Sequence, residues 1–213
     1  MIDLYSFPTP NGRKISVALE ELGLPYRAHL VDIRRGAQFA PDFLAISPNN
    51  KIPAIVDEDG PDGAPIALFE SGAILLYLAE KTGRLVPADA RGRHEVVQWL
   101  MLQMGGVGPM FGQLSHFTAY APEHVPYAVA RYTAEVERLL GVLEKRLETR
   151  EWLAGTSYSV ADIATYCWVA ISPLRKGEPE RWPSVGAWVE RIRARPAVGR
   201  GWEVLGPEAA AVA

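Results

Sequence analysis

Every strand-like pattern in this chain lies before residue 70, and beyond Leu85 the apolar residues keep only helical spacing. A chain of this kind divides into a small α/β body followed by a set of helices. At 213 residues, each part is long enough to bury a core of its own. Ile2 and Leu4 alternate with Asp3 and Tyr5, the period of a strand. Ile15, Ala18, Leu19 and Leu22 then follow at i, i+3, i+4 and i+7, one face of a helix, with Gly23 and Pro25 as stop signals. The loop between them, Ser6-Phe-Pro-Thr-Pro-Asn-Gly-Arg-Lys14, carries the chain from a strand tip to a helix N-terminus. Free backbone amides and the helix dipole favour an anion there.

Tyr26, Ala28 and Leu30 give a second strand pattern, and Pro41-Asp-Phe-Leu44 a short helix closed by Ser47-Pro48. Ile52–Val56 and Ile66–Phe69 read as strands, and Asp59-Gly-Pro-Asp-Gly63 between them supplies the turn of a hairpin. A helix follows from Ser71, with Ile74, Leu75 and Leu78 on one face and Gly83 at its stop. The order β-α-β-α-β-β-α is that of a thioredoxin-like sandwich. Leu85–Asp89 reads as a linker, so the division is an α/β thioredoxin-like domain over 1–84 and an all-α helical domain over 89–213. In the second part a long helix begins at His94 and is loosened by Gly105, Gly106, Gly108 and Pro109. Another carries Tyr132, Val136, Leu139, Leu140, Leu143 and Leu147. Ser159-Val-Ala-Asp162 is a capping box opening a further helix, Pro183–Ile192 forms a last regular one, and the Ala-rich end from Glu208 is expected to fray.

Composition narrows the function. A net charge of −3 offers no electrostatic case for nucleic acid or an anionic membrane. No apolar run approaches the roughly 20 residues that span a bilayer, and the opening MIDLYSFPTP does not read as a signal peptide. Cytoplasmic residence is the expectation. The four histidines have no metal-ligand spacing, so no metal is expected. The glycines at 105–112 lack the strand-loop-helix setting of a phosphate-binding loop; they mark either a close approach of helices or a wall of a cleft. The single cysteine, Cys167, excludes an internal disulfide and any dithiol carried by the chain, and it reads as a small buried hydrophobe. The first loop occupies the place where a thioredoxin-type protein carries Cys-x-x-Cys, yet it contains no sulfur.

Three further features have both a structural and a functional reading. Ile52-Pro53 is either a turn proline or the edge of a site, and Glu70-Ser71 is either a plain helix cap or an acid-hydroxyl pair suited to a group bearing an ammonium and a carboxylate. Asp162 has a sufficient structural role in its capping box.

These features in this order resemble a cytosolic glutathione transferase over essentially the whole chain. PTPNGRK, SPNNKIPAIVD, LFESGAILLYLAEKTG and GGVGPMFGQ are similar to the nu class of bacterial glutathione-dependent disulfide-bond oxidoreductases. The resemblance implies glutathione as co-substrate, with Thr9 and Asn11 holding its sulfur in place of a catalytic tyrosine or serine. It implies a cis peptide before Pro53, with the Ile52 backbone pairing with the cysteinyl unit. Glu70 and Ser71 then take the γ-glutamyl end, Gln38 reaches the glycyl end with Lys51 adding a favourable field, and Arg131 approaches from a helix of the second domain. Arg34 and Arg35 either join that field or are solvated surface charge. Tyr5 is assigned to packing, and Ser6 ranks behind Thr9. The implied reaction is thiol–disulfide exchange by bound glutathione, or glutathione disulfide, on a small disulfide, in a homodimer and without a protein cysteine. Conjugation of small electrophiles or reduction of hydroperoxides on the same site is the alternative, and a non-catalytic binding protein of the same fold is another.

Overall fold

A computed structural model of the chain describes residues 1–206, so the end from Glu208 lies outside the described residues. The contacts divide the chain into two units, one of Met1–Arg84 with residues from Arg193 onward, the other Leu85–Ile192.

The first unit is thioredoxin-like. Its elements are β1 (Ile2–Ser6), α1 (Pro10–Leu22), β2 (Tyr26–Leu30), α2 (Pro41–Ile46), β3 (Ala54–Asp57), β4 (Ile66–Phe69) and α3 (Ser71–Thr82). The sheet order is β2-β1-β3-β4, with β1 parallel to β2 and antiparallel to β3, and β3 antiparallel to β4. β3 begins two residues later than the hydrophobic run does, because Pro53 has no amide for the ladder; the Ile52–Pro53 peptide is cis. Alternation sends Tyr5 and Ala54 to one face, where Phe43 of α2 and Val31 close a small core. Ile2, Leu4 and Ile55 point to the other face and are fully buried beneath α1 and α3, which pack on each other. β2 is an edge strand bearing Arg27 and His29, charge and polarity that discourage pairing with another edge.

The last helix of the described residues returns to this unit. Residues Pro196–Glu203 pack along α1, where Ser16 Oγ donates to the Gly201 carbonyl at 2.6 Å and Arg195 forms a forked pair with Glu21 at 2.6 and 2.8 Å.

The second unit is helical: α4 (Ala90–Leu102), α5 (Gly108–Ser115), α6 (Pro126–Leu147), α7 (Val160–Val169), α8 (Pro173–Gly177) and α9 (Pro183–Arg193). That makes Pro196–Glu203 α10. α4 starts four residues before His94, because Asp89 caps it by accepting the Gly92 amide at 2.9 Å. The glycines at 105 and 106 do not break the helix. Residues Gln103–Val107 form a π-helical turn joining α4 to α5, placed just ahead of Pro109, which cannot donate to the carbonyl four residues back. The capping box is present at Ser159: its amide and hydroxyl both donate to Asp162 Oδ2, at 3.0 and 2.9 Å. Among the described residues, no helix is long and apolar enough to cross a membrane.

Candidate functional site

The strand directions bring the loop residues of the first unit together. β1, β2 and β4 end, and β3 begins, at the same end of the sheet. Thr9 and Asn11 follow β1, Gln38 follows β2, Lys51–Pro53 precede β3, and Glu70 and Ser71 follow β4. Eight of the nine residues singled out in the sequence therefore share one end of one sheet. The ninth, Arg131, is an exposed residue of α6 in the helical unit, where its charge helps hold the Glu135 carboxyl below the usual range, after the stronger hydrogen-bonded effect of Arg138.

Thr9 is the N-cap of α1, with extended backbone and its Oγ1 accepting the Gly12 amide at 3.2 Å. The hydroxyl accepts through a lone pair, so its proton remains to be donated elsewhere. The first turn of α1 contains no acidic residue to oppose the helix field. Pro10 contributes no amide and Gly12's is already taken by Thr9, so side-chain donors must supply more of any anion binding at this terminus. The turn sits close on the strand end: a Cβ at Gly12 would lie 2.1 Å from the Phe7 carbonyl oxygen and 2.4 Å from Ser6 Oγ. Ser6 is thus covered by the helix, and its hydroxyl donates to Phe7 O at 3.4 Å. Tyr5 stacks on His29 across the β1–β2 ladder, ring centres 4.7 Å apart, which is the packing role expected of it.

At the start of α3, Glu70 takes φ +71° and ψ 110°, a backbone region costly for any residue with a Cβ. Its exposed side chain makes no capping bond to the helix, so the strained residue does not serve as an ordinary cap. Ser71, next along and buried, has its Oγ 3.2 Å from Lys14 Nζ, which donates to it. Lys14 is only 1% exposed, so an ammonium is held under the N-terminus of α3 with that helix's own positive field. Accepting from an ammonium makes the Ser71 O–H a better donor. An anion with an adjacent cationic group fits this corner: carboxylate toward Ser71 and the helix amides, ammonium toward Glu70.

Sequence reading missed Lys14. The available signal was a lysine four residues before Ala18, on the stripe that α1 buries.

Gln38 lies in a short 3-10 turn, and its Oε1 is buried with no hydrogen-bond partner. A buried acceptor in that state is an exception that calls for a donor. Ile52 is half-buried against the Val31–Phe43–Ala54 cluster, which pins the residue while its backbone stays at the sheet end. Lys51 is exposed, its carbonyl accepting from Ser47 Oγ at 2.8 Å. Arg34 is engaged: its guanidinium forks onto Asp32 at 2.9 and 2.8 Å and lies 5.0 Å from the Phe7 ring. Its charge is matched by Asp32, which leaves it little to add to a field for another carboxylate. Among the described residues, no group of three or more His, Cys, Asp and Glu could hold a metal.

The Arg34 hydrogen bonds hold the Asp32 carboxyl at about 2 against the opposing effect of desolvation. A carboxyl depressed on folding stabilises the native state above its ordinary pKa, near 4, and loses that contribution as the pH falls through about 2. Asp32→Asn is therefore expected to flatten the acid limb of a urea-denaturation series between about pH 4 and 2. A limb identical to wild type would show that Asp32 does not contribute to it.

Comparison with known proteins places these features in a family. The glutathione S-transferase N-terminal domain model matches residues 9–81, and the C-terminal domain model of the same family matches residues 109–196. Disulfide-bond oxidoreductase YfcG of Escherichia coli is 55% identical over 201 residues, 94% of either chain. A glutathione transferase of Burkholderia graminis, solved with two glutathione molecules bound per subunit, superimposes with a TM-score of 0.91 at 53% identity, covering 95% of this chain and 87% of that one. One from Pseudomonas putida, solved with one glutathione disulfide bound per subunit, gives 0.91 at 46% identity, covering 96% and 92%. This chain belongs to the glutathione S-transferase family, and over nearly its whole length it is similar to a member named as a disulfide-bond oxidoreductase.

Proposed function

We propose that the protein is a glutathione-dependent disulfide-bond oxidoreductase to which both reacting sulfurs of each exchange step are brought by ligands. The observation that carries this reading is where the single cysteine lies. Cys167 is fully buried in α7 of the helical unit, and the thioredoxin-like unit has none. A thiol shut away from solvent does not attack an incoming disulfide, so glutathione must bring the nucleophile. The similarity to proteins solved with two glutathiones, or with glutathione disulfide, supports the same reading.

In this scheme Glu70 receives the γ-glutamyl ammonium and Ser71, with Lys14 behind it, the neighbouring carboxylate. The Ile52 backbone pairs with the cysteinyl unit, Gln38 Oε1 accepts from the glycyl end, and the Lys51 charge lies toward the glycyl carboxylate. Thr9 and Asn11 hold the sulfur. Arg131 is assigned to glutathione on resemblance alone. The bound thiolate attacks a small disulfide, its S–S bond breaks, and one half leaves as a thiolate. A second glutathione thiolate then attacks the mixed disulfide and releases the other half. Two glutathiones are oxidised to one disulfide for each disulfide reduced, and the two departing thiolates take up the protons that the glutathiones lost. The protein's contribution is to place two thiols and ionise them. We further infer that the first unit is the glutathione-binding domain, that the chain works as a homodimer, and that it resides in the cytoplasm, where glutathione is kept reduced.

Ionisation can be tested directly. Lowering a thiol pKa from about 8.5 to about 6.5 requires about 2.7 kcal/mol. A helix terminus contributes about 0.3–1 kcal/mol, and a charge-assisted hydrogen bond about 1.5–3 kcal/mol. Thr9→Ala is expected to raise the pKa of the bound thiol by about one to two units, while Thr9→Ser, which keeps both cap and donor, retains the wild-type value. The ultraviolet absorbance of the thiolate, titrated against pH, reads this. Superimposable curves for wild type and Thr9→Ala would remove Thr9 as the sulfur's donor.

A further inference from the structure

The charges of α1 run against its own dipole. Acids stabilise the start of a helix and cations its end, yet α1 carries Arg13 and Lys14 near its start, with no acid in the first turn, and Glu20 and Glu21 near its end, with no cation in the last. Three of these four charges are met by partners already described or by α10. Arg195 forks onto Glu21, Arg200 reaches Glu20 at 2.6 Å with the Tyr26 hydroxyl on its other oxygen at 2.9 Å, and Lys14 donates to Ser71. Arg13 faces α10 as well, but what it meets there is the ring of Trp202, 4.3 Å from the guanidinium carbon. We infer that Trp202 is a positioning residue, which holds Arg13 so that its charge favours the thiolate of bound glutathione. The inference rests on the function proposed above and adds α10 to the elements that carry it out.

The seam between the two helices fixes where that ring lies. A Cβ at Gly201 would stand 2.5 Å from Val17 Cα and 2.7 Å from Val17 N, so only glycine lets α10 rest on the backbone of α1 at this turn. Ser16 Oγ ties the same turn down by donating to the Gly201 carbonyl. Trp202 is the next residue, and its ring is delivered to Arg13. An aromatic face attracts a guanidinium without neutralising it, as a carboxylate would.

Arg13 is one helical turn from the residue assigned to the sulfur: its amide donates to the Thr9 carbonyl at 2.9 Å. Pro10 and Gly12 contribute no free amide to an anion at this terminus, so a fixed cation one turn away makes up part of what the helix withholds. The other charges around it are Lys14, directed to Ser71, Glu20 and Glu21, engaged by α10, and Glu203, exposed on α10 beside Trp202. Arg34, beyond Phe7, is matched by Asp32.

The test titrates the thiolate absorbance of glutathione bound to the full chain, and measures reduction of a small disulfide at saturating glutathione. Arg13→Met, which removes the charge, is expected to raise the bound thiol's pKa by about 0.5–1 unit. Its kcat should fall about two- to fivefold at about pH 6.5 and recover at about pH 9, where the thiol is ionised in both proteins. Arg13→Lys keeps the charge and the wild-type values. Trp202→Ala should shift the pKa the same way by a smaller amount, and Trp202→Phe, which keeps a ring, should restore it. Circular dichroism checks that each variant is folded. Arg13→Gln replaces Arg13→Met should that variant not fold, and the Arg13 series decides alone should Trp202→Ala not fold. An unshifted pKa in the folded Arg13 variant, or a rate deficit undiminished at about pH 9, would overturn this inference and leave the proposed function standing. A bound thiol that titrates in wild type as free glutathione does would overturn both.

Discussion

Glutathione is expected to bind a folded Glu70→Ala variant about 10- to 150-fold more weakly than wild type. The range follows from losing one hydrogen bond between charged groups, about 1.5–3 kcal/mol, at about 1.4 kcal/mol for each tenfold. The position separates binding from stability. Glu70 is exposed, makes no capping bond, and sits at φ +71°, so alanine, which also carries a Cβ, leaves the backbone strain unchanged. Glu70→Gly relieves it and is expected to stabilise the fold by about 1 kcal/mol while losing the same affinity. Opposite signs for stability and binding at one residue identify a side chain retained for its ligand. Calorimetry on both variants beside urea denaturation reads both quantities. Unchanged affinity in the folded alanine variant would remove Glu70 from the site.

The largest loss of stability is expected from Asp162→Ala, about 4 kcal/mol. Asp162 is fully buried, and its carboxylate accepts from the Leu153 amide at 2.9 Å, the Ser159 amide and hydroxyl at 3.0 and 2.9 Å, and Trp188 Nε1 at 3.0 Å. Alanine leaves three buried N–H donors without an acceptor, each costing about 1–3 kcal/mol, and opens a small void as well. Against a whole-domain stability of about 5–15 kcal/mol that is a large fraction. Burial pushes the carboxyl's pKa up, outweighing the four bonds that favour its charge. Neutral asparagine should therefore cost less than alanine, although its NH2 must face groups that are themselves donors. Urea denaturation followed by tryptophan fluorescence measures the series, and an alanine variant within about 1 kcal/mol of wild type would contradict this account of the helical core.

Local signals in the sequence were readable because the interactions behind them are local. Thr9-Pro10 starts α1 and Gly23 stops it, and Ser159 with Asp162 forms a capping box within four residues. The β3–β4 hairpin also followed from a short pattern, since Asp59–Gly63 supplies the turn between them. What escaped depends on partners far away in the chain. Lys14 meets Ser71, 57 residues on, and nothing near Lys14 distinguishes it from a solvated lysine except the burial of its helix face. Trp188 completes the Asp162 site from 26 residues beyond it. α10 docks on α1 through Ser16, Glu20 and Glu21, polar residues that in a linear reading belong to an exposed face. Arg34 read as either field or surface charge because its fork onto Asp32 depends on the turn between them. The glycines of 105–112 marked a close approach of helices, but only Trp168, more than fifty residues later, shows what approaches.

The central claim is that this chain reduces disulfides with sulfur it does not itself supply. A mechanism using a protein dithiol needs two cysteines, and one using a single protein thiol needs it at the N-terminus of α1; the chain has only Cys167, buried in α7. The direct measurement is glutathione-dependent reduction of a small disulfide by wild type and by Cys167→Ala, with an aryl halide and a hydroperoxide as comparison substrates. Equal disulfide reductase rates, faster than either comparison reaction, are predicted, with a stability loss on the order of 1 kcal/mol from the emptied core position. Abolished disulfide reduction in a folded Cys167→Ala protein, or an aryl halide consumed faster than the disulfide by wild type, would contradict the claim.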